Sequence, residues 1–160
     1  MNILFICEDN AFLSIIAESI LKSVTGARFG SFSAGVRPAK EVNKQVLRFL
    51  REHHISVGGL RPKSLADFRE LRGFRMDFVI TLCDMNGAHI ADWPGAPFIA
   101  HWNIEEDDDL ACRFAPSEEV IRDTFWTLMR RINILASLPQ DKLNLRRLQQ
   151  RALTLQPNYL

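Results

Sequence analysis

The sequence has few cysteines, no long apolar run and no signal-like start. Its three cysteines, Cys7, Cys83 and Cys112, are too few and too scattered for a disulfide framework, and none has metal-ligand spacing to another Cys or His. Neither a metal nor another cofactor is expected. No segment reaches about 18 consecutive apolar residues, which argues against a membrane span. Because the first residues form an apolar segment without a basic leader, we predict a cytoplasmic protein.

An excess of charge is also lacking. The chain carries 20 Lys and Arg against 19 Asp and Glu, a net charge of +1. Binding to nucleic acid normally requires a clustered excess of positive charge, so no nucleic-acid partner is expected. The hydrophobic share of 47% and the charged share of 24% are typical of a globular protein. A length of 160 residues predicts one domain over residues 1–160.

Strand-like and helix-like patterns alternate along the chain, which predicts an α/β fold with a parallel sheet and right-handed crossovers. Apolar runs predict strands, and apolar spacing of three and four residues predicts helices. We expect Ser64 to cap the short third helix. The predicted strands are 3–6, 28–33, 77–82 and 97–101; after the helix that follows the first strand, the predicted helices are 39–52, 66–71, 115–135 and 141–155.

Residues 2–21 combine an apolar strand, a polar loop that opens with Cys7, and a helix. In such a unit the loop N–H groups and the helix N-terminus converge and favour an anion. A cysteine at that point is expected to be a nucleophile, because its thiolate is stabilised. The candidate oxyanion loop that follows Cys7 consists of Glu8, Asp9, Asn10, Ala11, Phe12, Leu13 and Ser14.

This stretch resembles the low-molecular-weight tyrosine phosphatases and, more closely, the arsenate reductases that share their fold. That family opens with a strand, a Cys, five residues, an Arg and a Ser; here Cys7, Asn10, Ser14, Ala17 and Glu18 match. The resemblance implies a three-layer sandwich around a four-stranded parallel sheet, with additional C-terminal helices. It also implies arsenate or phosphate as substrate, with thioredoxin or a small thiol as reductant.

Further segments carry the same resemblance along the chain. They are Ser33-Ala34-Gly35, Pro38 with Val42-Asn43, Gly59-Leu60, Lys63-Ser64, Trp93-Pro94-Gly95 and Ala100-His101-Trp102. Because these segments are separate and specific, the resemblance covers nearly the whole chain.

The loop departs from the family at the positions that matter for anions. Leu13 stands where the family has its arginine, and Asp9 stands where glycine is usual; Glu8 and Ala11 also differ. A buried anion without its charged partner typically costs on the order of 3–5 kcal/mol. The added carboxylates are expected to oppose ionisation of Cys7. The leading hypothesis is therefore a member of the family that is catalytically impaired, or a pseudoenzyme or interaction protein.

Two alternatives remain open. By resemblance, Cys83 occupies the position of the resolving thiol, although the family's next cysteine is replaced in the region of Ile90 and Ala91. An active arsenate reductase or phosphatase would use Cys7 as nucleophile and Cys83 as resolving thiol. A thiol redox protein would use the same two cysteines without an anion.

The acidic segment 105–109 holds the candidates for a general acid. Glu106 lies nearest the family's general-acid position, and Glu105 is the other candidate. Five adjacent acids fit a solvated turn better than a catalytic acid, so the solvated turn is the preferred interpretation.

Ligands of parallel sheets bind beyond the carboxyl ends of the strands. Cys7, Ser33, Cys83 and His101 all lie at predicted strand ends, so we expect one shared crevice there. His101 is expected to be a hydrogen-bonded structural residue. The resemblance implies that Ser14 eases departure of the Cys7 thiolate, and capping of the first helix is its alternative role. Asn10 is expected to shape the loop through its own backbone.

The predicted last helix is basic and amphipathic, and residues 138–155 form an addition to the domain. We expect its apolar side to dock on the domain; a homodimer contact or a partner groove is the alternative. Because Arg146, Arg147 and Arg151 share one side, an acidic partner is a further hypothesis.

Overall fold

The computed structural model describes residues 1–71, 73–85, 90, 92–104 and 116–144. The strands and helices follow one another in the predicted order. In chain order the elements are β1 (Asn2–Cys7), α1 (Leu13–Thr25), a 3-10 turn (Gly26–Arg28), β2 (Gly30–Gly35), α2 (Lys44–Glu52), α3 (Leu65–Glu70), β3 (Phe78–Thr81), β4 (Phe98–His101) and α4 (Glu118–Ser137).

The four strands form one parallel sheet in the order β2-β1-β3-β4, which confirms the predicted architecture. In β1 every residue after Asn2 is buried, on both faces of the strand, and all of β3 is buried. Helices therefore cover both faces at the centre of the sheet. The second strand lies two residues later than predicted, because the 3-10 turn takes up residues 26–28.

Two helices build most of the core on the sheet. The predicted apolar stripe of α1, which includes Ile15, Ile16, Ile20 and Leu21, is buried, and α1 packs against β1, β2 and α4. This packing fixes the start of α1 against the end of β1. The buried residues of α4 are Ile121, Thr124, Phe125, Leu128 and Ile132, while Val120 and Met129 are partly buried.

The helix predicted from residue 39 begins only at Lys44. The side-chain oxygen of Asn43 accepts hydrogen bonds from the N–H groups of Gln45 and Val46 and so caps α2 there. The residues before Asn43 instead run along the cysteine loop, where Ala39 N donates to Asp9 O at 2.8 Å. The prediction was therefore wrong at this helix start.

The predicted cap of α3 is confirmed, because Ser64 Oγ accepts from Ala66 N at 3.2 Å. Residues 140–144 are helical and Leu143 is buried. The rest of the predicted last helix, with Arg146, Arg147 and Arg151, lies outside the described residues, and so do Glu105, Glu106 and Cys112. No helix in the described part of the chain has the length and apolarity needed to cross a membrane.

Candidate functional site

The cysteine loop connects the carboxyl end of β1 to the start of α1. Cys7 is the last residue of β1, pairs with Gly35 of β2, and is 1% exposed. Its Sγ lies 2.9 Å from Ser14 Oγ and accepts a hydrogen bond from Asn10 N at 3.3 Å. The thiol is thus enclosed by polar groups in the interior.

The alternative role of Ser14, capping of α1, is contradicted by the structure. The capping position is Phe12, which makes no side-chain cap bond within the described residues. Ser14 Oγ instead contacts Cys7 Sγ and accepts a bond from Asn10 Nδ2 at 2.8 Å. The Ser14 hydroxyl therefore contacts the Cys7 thiol and the Asn10 side chain of the loop.

Asn10 joins the loop to two other segments. Its backbone has a φ of 51°, a left-handed conformation that Asn tolerates better than most residues. Its Nδ2 donates to Ser14 Oγ and to Ser33 Oγ, the latter at 2.9 Å, and its Oδ1 accepts from Lys63 N at 2.8 Å. Asn10 thus shapes the loop through tertiary contacts, whereas the sequence led us to expect bonds to its own backbone.

A partly buried ion pair joins the segments that hold this arrangement. Lys63 Nζ donates to Glu18 Oε2 at 2.9 Å, and both side chains are 13% exposed. Glu18 Oε2 also accepts from Ser33 Oγ, and Lys63 Nζ donates to Arg61 O. Sequence reasoning named Glu18 and Lys63 only as matches to the family. The sequence holds no signal that Glu18 and Lys63 form an ion pair, because 45 positions separate them along the chain.

Asp9 places a carboxylate inside the loop. The residue is 6% exposed, and its Oδ1 accepts a hydrogen bond from Ala11 N at 3.0 Å. Cys7 Sγ donates to the same oxygen over a long 3.7 Å. Burial raises the pKa of the Asp9 carboxyl above its usual value, although the bond from Ala11 opposes the rise. A carboxyl group of the protein itself therefore lies inside the loop that the sequence identified as the candidate oxyanion loop.

The same carboxylate acts on the thiol. Burial, and next the charge of Asp9, raise the pKa of Cys7 from 9.0 to about 12, while the bonds from Ser14 and Asn10 lower it. The predicted opposition of Asp9 to ionisation of Cys7 agrees with this direction. At neutral pH Cys7 is a thiol rather than a thiolate.

Glu8 was also expected to oppose ionisation, but its side chain pairs with Arg37. The Arg37 Nε donates to Glu8 Oε1 at 2.5 Å, and Nη2 contacts the same oxygen. Glu8 is not among the groups that shift the pKa of Cys7. Its charge is thus compensated by an arginine from the segment after β2.

Leu13 lies in the hydrophobic core and is 1% exposed. It is the first residue of α1. The position that carries an arginine in the resembling family is thus filled by an apolar side chain. A leucine supplies neither charge nor hydrogen-bond donors for an oxyanion.

Gly35 lets the end of β2 pass close to the cysteine loop. A Cβ at this position would lie 2.9 Å from backbone atoms of Glu8, Asp9 and Asn10. Gly35 N donates to Lys63 O at 2.9 Å. The end of β2 therefore touches the loop backbone, and only a glycine fits there.

The remaining predicted site residues lie on β3 and β4. Ile6 pairs with Thr81, so Cys83 follows the strand next to Cys7. Cys83 is 3% exposed, and neither Cys7 nor Cys83 forms a disulfide within the described residues. His101 Nδ1 lies 2.6 Å from Thr81 Oγ1, which is the kind of structural hydrogen bond expected of it. The structure thus connects Ser33 to the Cys7 loop through Asn10, while His101 is bonded to the neighbouring strand.

Beside the loop is a cavity of about 420 Å³. One wall is formed by Asp9, Ala11 and Phe12, and the other by residues 39–45. Cys7, Cys83 and His101 are not among the described residues that line it. No group of three or more His, Cys, Asp or Glu within the described ranges could hold a metal ion.

A cysteine at the end of the first parallel strand, followed by a loop and a helix, defines an α/β protein of the cysteine-phosphatase type. The chain matches the family of low molecular weight phosphotyrosine protein phosphatases over residues 2–97, and it belongs to that family.

Relatives within this fold include arsenate reductases. The arsenate reductase of Bacillus anthracis is 28% identical over 132 residues, which cover 82% of this chain and 93% of that protein. A Corynebacterium glutamicum thioredoxin-dependent arsenate reductase is 27% identical with a TM-score of 0.65; the match covers 91% of this chain and 62% of that one. The chain thus spans less than two thirds of that structure's length. The tyrosine phosphatase Wzb from Escherichia coli K30, solved with sulphate, is 18% identical with a TM-score of 0.65 and shares the fold, over 84% of this chain and 95% of that one.

Proposed function

We propose that this chain is a member of the family whose oxyanion chemistry is silenced, a pseudoenzyme that binds a partner rather than converting a substrate. The observation that carries the proposal is the Asp9 carboxylate, which accepts the Ala11 N–H and faces the Cys7 thiol. An arsenate or phosphate ion would meet a like charge there. Two unit charges about 5 Å apart repel by roughly 3 kcal/mol at an effective dielectric of 20.

Among the described residues, neither Leu13 nor Arg37 supplies the loop with a compensating cation, which supports the same proposal. Leu13 is buried in the core, and Arg37 is engaged by Glu8. Since Cys7 is protonated at neutral pH, the loop lacks both an attacking thiolate and a guanidinium for the transition state.

The purified protein is expected to show no turnover of p-nitrophenyl phosphate, and none of arsenate with thioredoxin or a small thiol. The physical reason is the loss of charge complementarity just described. Colorimetric phosphate release and a coupled reductase assay measure it, with a phosphatase of the same family as positive control. Turnover that disappears in the Cys7→Ser variant would overturn the proposal.

A double variant, Asp9→Gly with Leu13→Arg, is expected to gain phosphate binding by at least about a hundredfold over the parent chain. It removes the internal carboxylate and supplies a forked donor, while Asn10 and Ser14 remain. Calorimetric titration with inorganic phosphate measures the gain. The matched control is Asp9→Gly with Leu13→Lys, which adds the charge without the fork and should gain less. No gain in either variant would mean that the loop geometry itself is unsuited to anions.

The alternative is an active arsenate reductase with Cys7 as nucleophile and Cys83 as resolving thiol. It draws support from the strand register, which puts the two cysteines at neighbouring strand ends, and from relatives that carry that name. The general-acid candidate Glu106 and the reductant, thioredoxin or a small thiol, belong to this alternative. The turnover assay above separates it from the pseudoenzyme.

A further inference from the structure

The cavity beside the cysteine loop has the size of a ligand site. Its volume of about 420 Å³ falls in the range of roughly 300–1,000 Å³ that is usual for small-molecule pockets. Apolar side chains form much of its wall: Ala11 is 8%, Phe12 1% and Val42 5% exposed. Such a wall suits the hydrocarbon part of a ligand.

One lining residue carries a charge that the protein does not neutralise. Asp9 is 6% exposed, and both hydrogen bonds of its carboxylate fall on Oδ1, from Ala11 N and Cys7 Sγ. Within the described residues no Lys, Arg or His forms an ion pair with this carboxylate. Burial raises the pKa of this carboxyl, because the charged form loses hydration there. A cation placed against Oδ2 would supply the missing partner.

The other charges of the cavity act more weakly. Lys44 Nζ lies 3.7 Å from Glu41 Oε1, with both side chains more than 70% exposed, and Lys40 is exposed as well. Exposed charges are hydrated and screened by salt, so their effect on a ligand is small. The buried carboxylate therefore decides the sign of the ligand.

We infer that this cavity binds an ammonium or guanidinium group on a short apolar stem, the group lying against Asp9 and the stem against Ala11, Phe12 and Val42. The inference rests on the proposed function, since a loop that favoured oxyanions would not favour a cation. A lysine or arginine side chain of a protein partner, or a free alkylamine, has this chemistry.

The full chain is titrated separately with n-butylguanidinium, n-butylamine and neutral n-butanol. Changes in the backbone amide chemical shifts in NMR spectra report the binding of each compound. Both cations are expected to bind at least about tenfold more tightly than butanol, because a charged hydrogen bond is added to the same stem. The shifts should map to Asp9, Ala11 and residues 39–45. Equal affinity of butanol would overturn the inference.

Four variants test the assigned contacts. Asp9→Asn is expected to weaken cation binding at least about tenfold, whereas the matched Asp67→Asn on exposed α3 leaves it unchanged. Lys40→Met is expected to tighten binding only slightly, since it removes an exposed and screened like charge from the rim. Ala39→Leu, at a half-buried position, should weaken binding with Asp9 intact, which keeps the test valid even if Asp9→Asn folds poorly.

Two peptides distinguish the possible sources of the cation. A blocked pentapeptide with one central arginine is compared with its norleucine counterpart and with n-butylguanidinium. Tighter binding of the arginine peptide than of n-butylguanidinium supports a protein partner, and preference for the free cations supports a small amine.

Binding of phosphate or acetate that disappears in Lys40→Met would overturn the inference, because the site would then select anions. This outcome is separate from the turnover assay. A cavity that rejects cations in a protein without turnover refutes only the cation site, whereas turnover refutes the silenced loop.

Discussion

Replacing Lys63 by methionine is expected to lower the free energy of unfolding by about 3–5 kcal/mol. The change leaves the Glu18 carboxylate without its ammonium partner, although that side chain is only 13% exposed. Methionine keeps most of the side-chain volume, so the lost charge rather than a cavity causes the effect. Urea unfolding followed by circular dichroism measures it.

The double variant Glu18→Gln with Lys63→Met should recover much of that loss, because no unpaired charge remains buried. The matched exposed pair is Arg48 and Glu52, whose Nε–Oε1 distance is 2.8 Å at side-chain exposures of 74% and 49%. Arg48→Met is expected to cost less than about 1 kcal/mol. If Lys63→Met were as mild as Arg48→Met, Glu18 would not carry a buried charge and the network would need another explanation.

The ion pair matters for the site because it fixes the loop from outside. Glu18 accepts from Ser33, Ser33 accepts from Asn10, and Asn10 also accepts from Lys63 N. The loop geometry therefore depends on groups from α1, β2 and the segment before α3. This network stabilises the loop without using an anion.

Cys7 is expected to react with iodoacetamide at least about 30-fold more slowly in the folded protein than in the urea-unfolded protein at neutral pH. A rise in its pKa from 9.0 to about 12 lowers the thiolate fraction roughly thousandfold. A thiolate with a higher pKa is intrinsically more nucleophilic, with a Brønsted slope of about 0.4–0.5, and this compensates for only part of the loss in reaction rate. Mass spectrometry of the Cys7 peptide measures the rate, with Cys7→Ser as the blank.

Asp9→Asn should speed this alkylation only in part, because burial, the larger cause of the raised pKa, remains. Mild peroxide should leave Cys7 and Cys83 reduced. A fast-reacting Cys7, or a Cys7–Cys83 disulfide after peroxide, would contradict the prediction and favour the thiol redox protein.

The raised pKa of Cys7 also makes the free energy of unfolding depend on pH, in a direction that can be stated. The folded state holds the Cys7 proton more tightly than the unfolded state, so this contribution is complete below about pH 9 and is lost as the pH rises to about 12. Its full size is at most about 4 kcal/mol. Cys7→Ser is expected to flatten the alkaline side of the stability curve.

Much of the fold followed from local patterns. The alternation of strands and helices determined the parallel sheet, and Ser64 was recognised as the cap of α3. The start of α2 was not predicted, because Asn43 competes as a cap with an apolar periodicity that continues upstream. The second strand was misplaced because the 3-10 turn at residues 26–28 has no distinct pattern.

The sequence by itself determined the position of Cys7 at a strand end, the loss of the arginine at Leu13 and the extra carboxylate of Asp9, since each depends only on residue type and order. Only the tertiary structure decided which charged side chains pair with one another. Glu18 pairs with Lys63, and Arg37 neutralises Glu8, because the sheet order and the path of residues 36–42 bring distant segments together. Contacts over such separations depend on the packing of whole elements, and no local pattern encodes them.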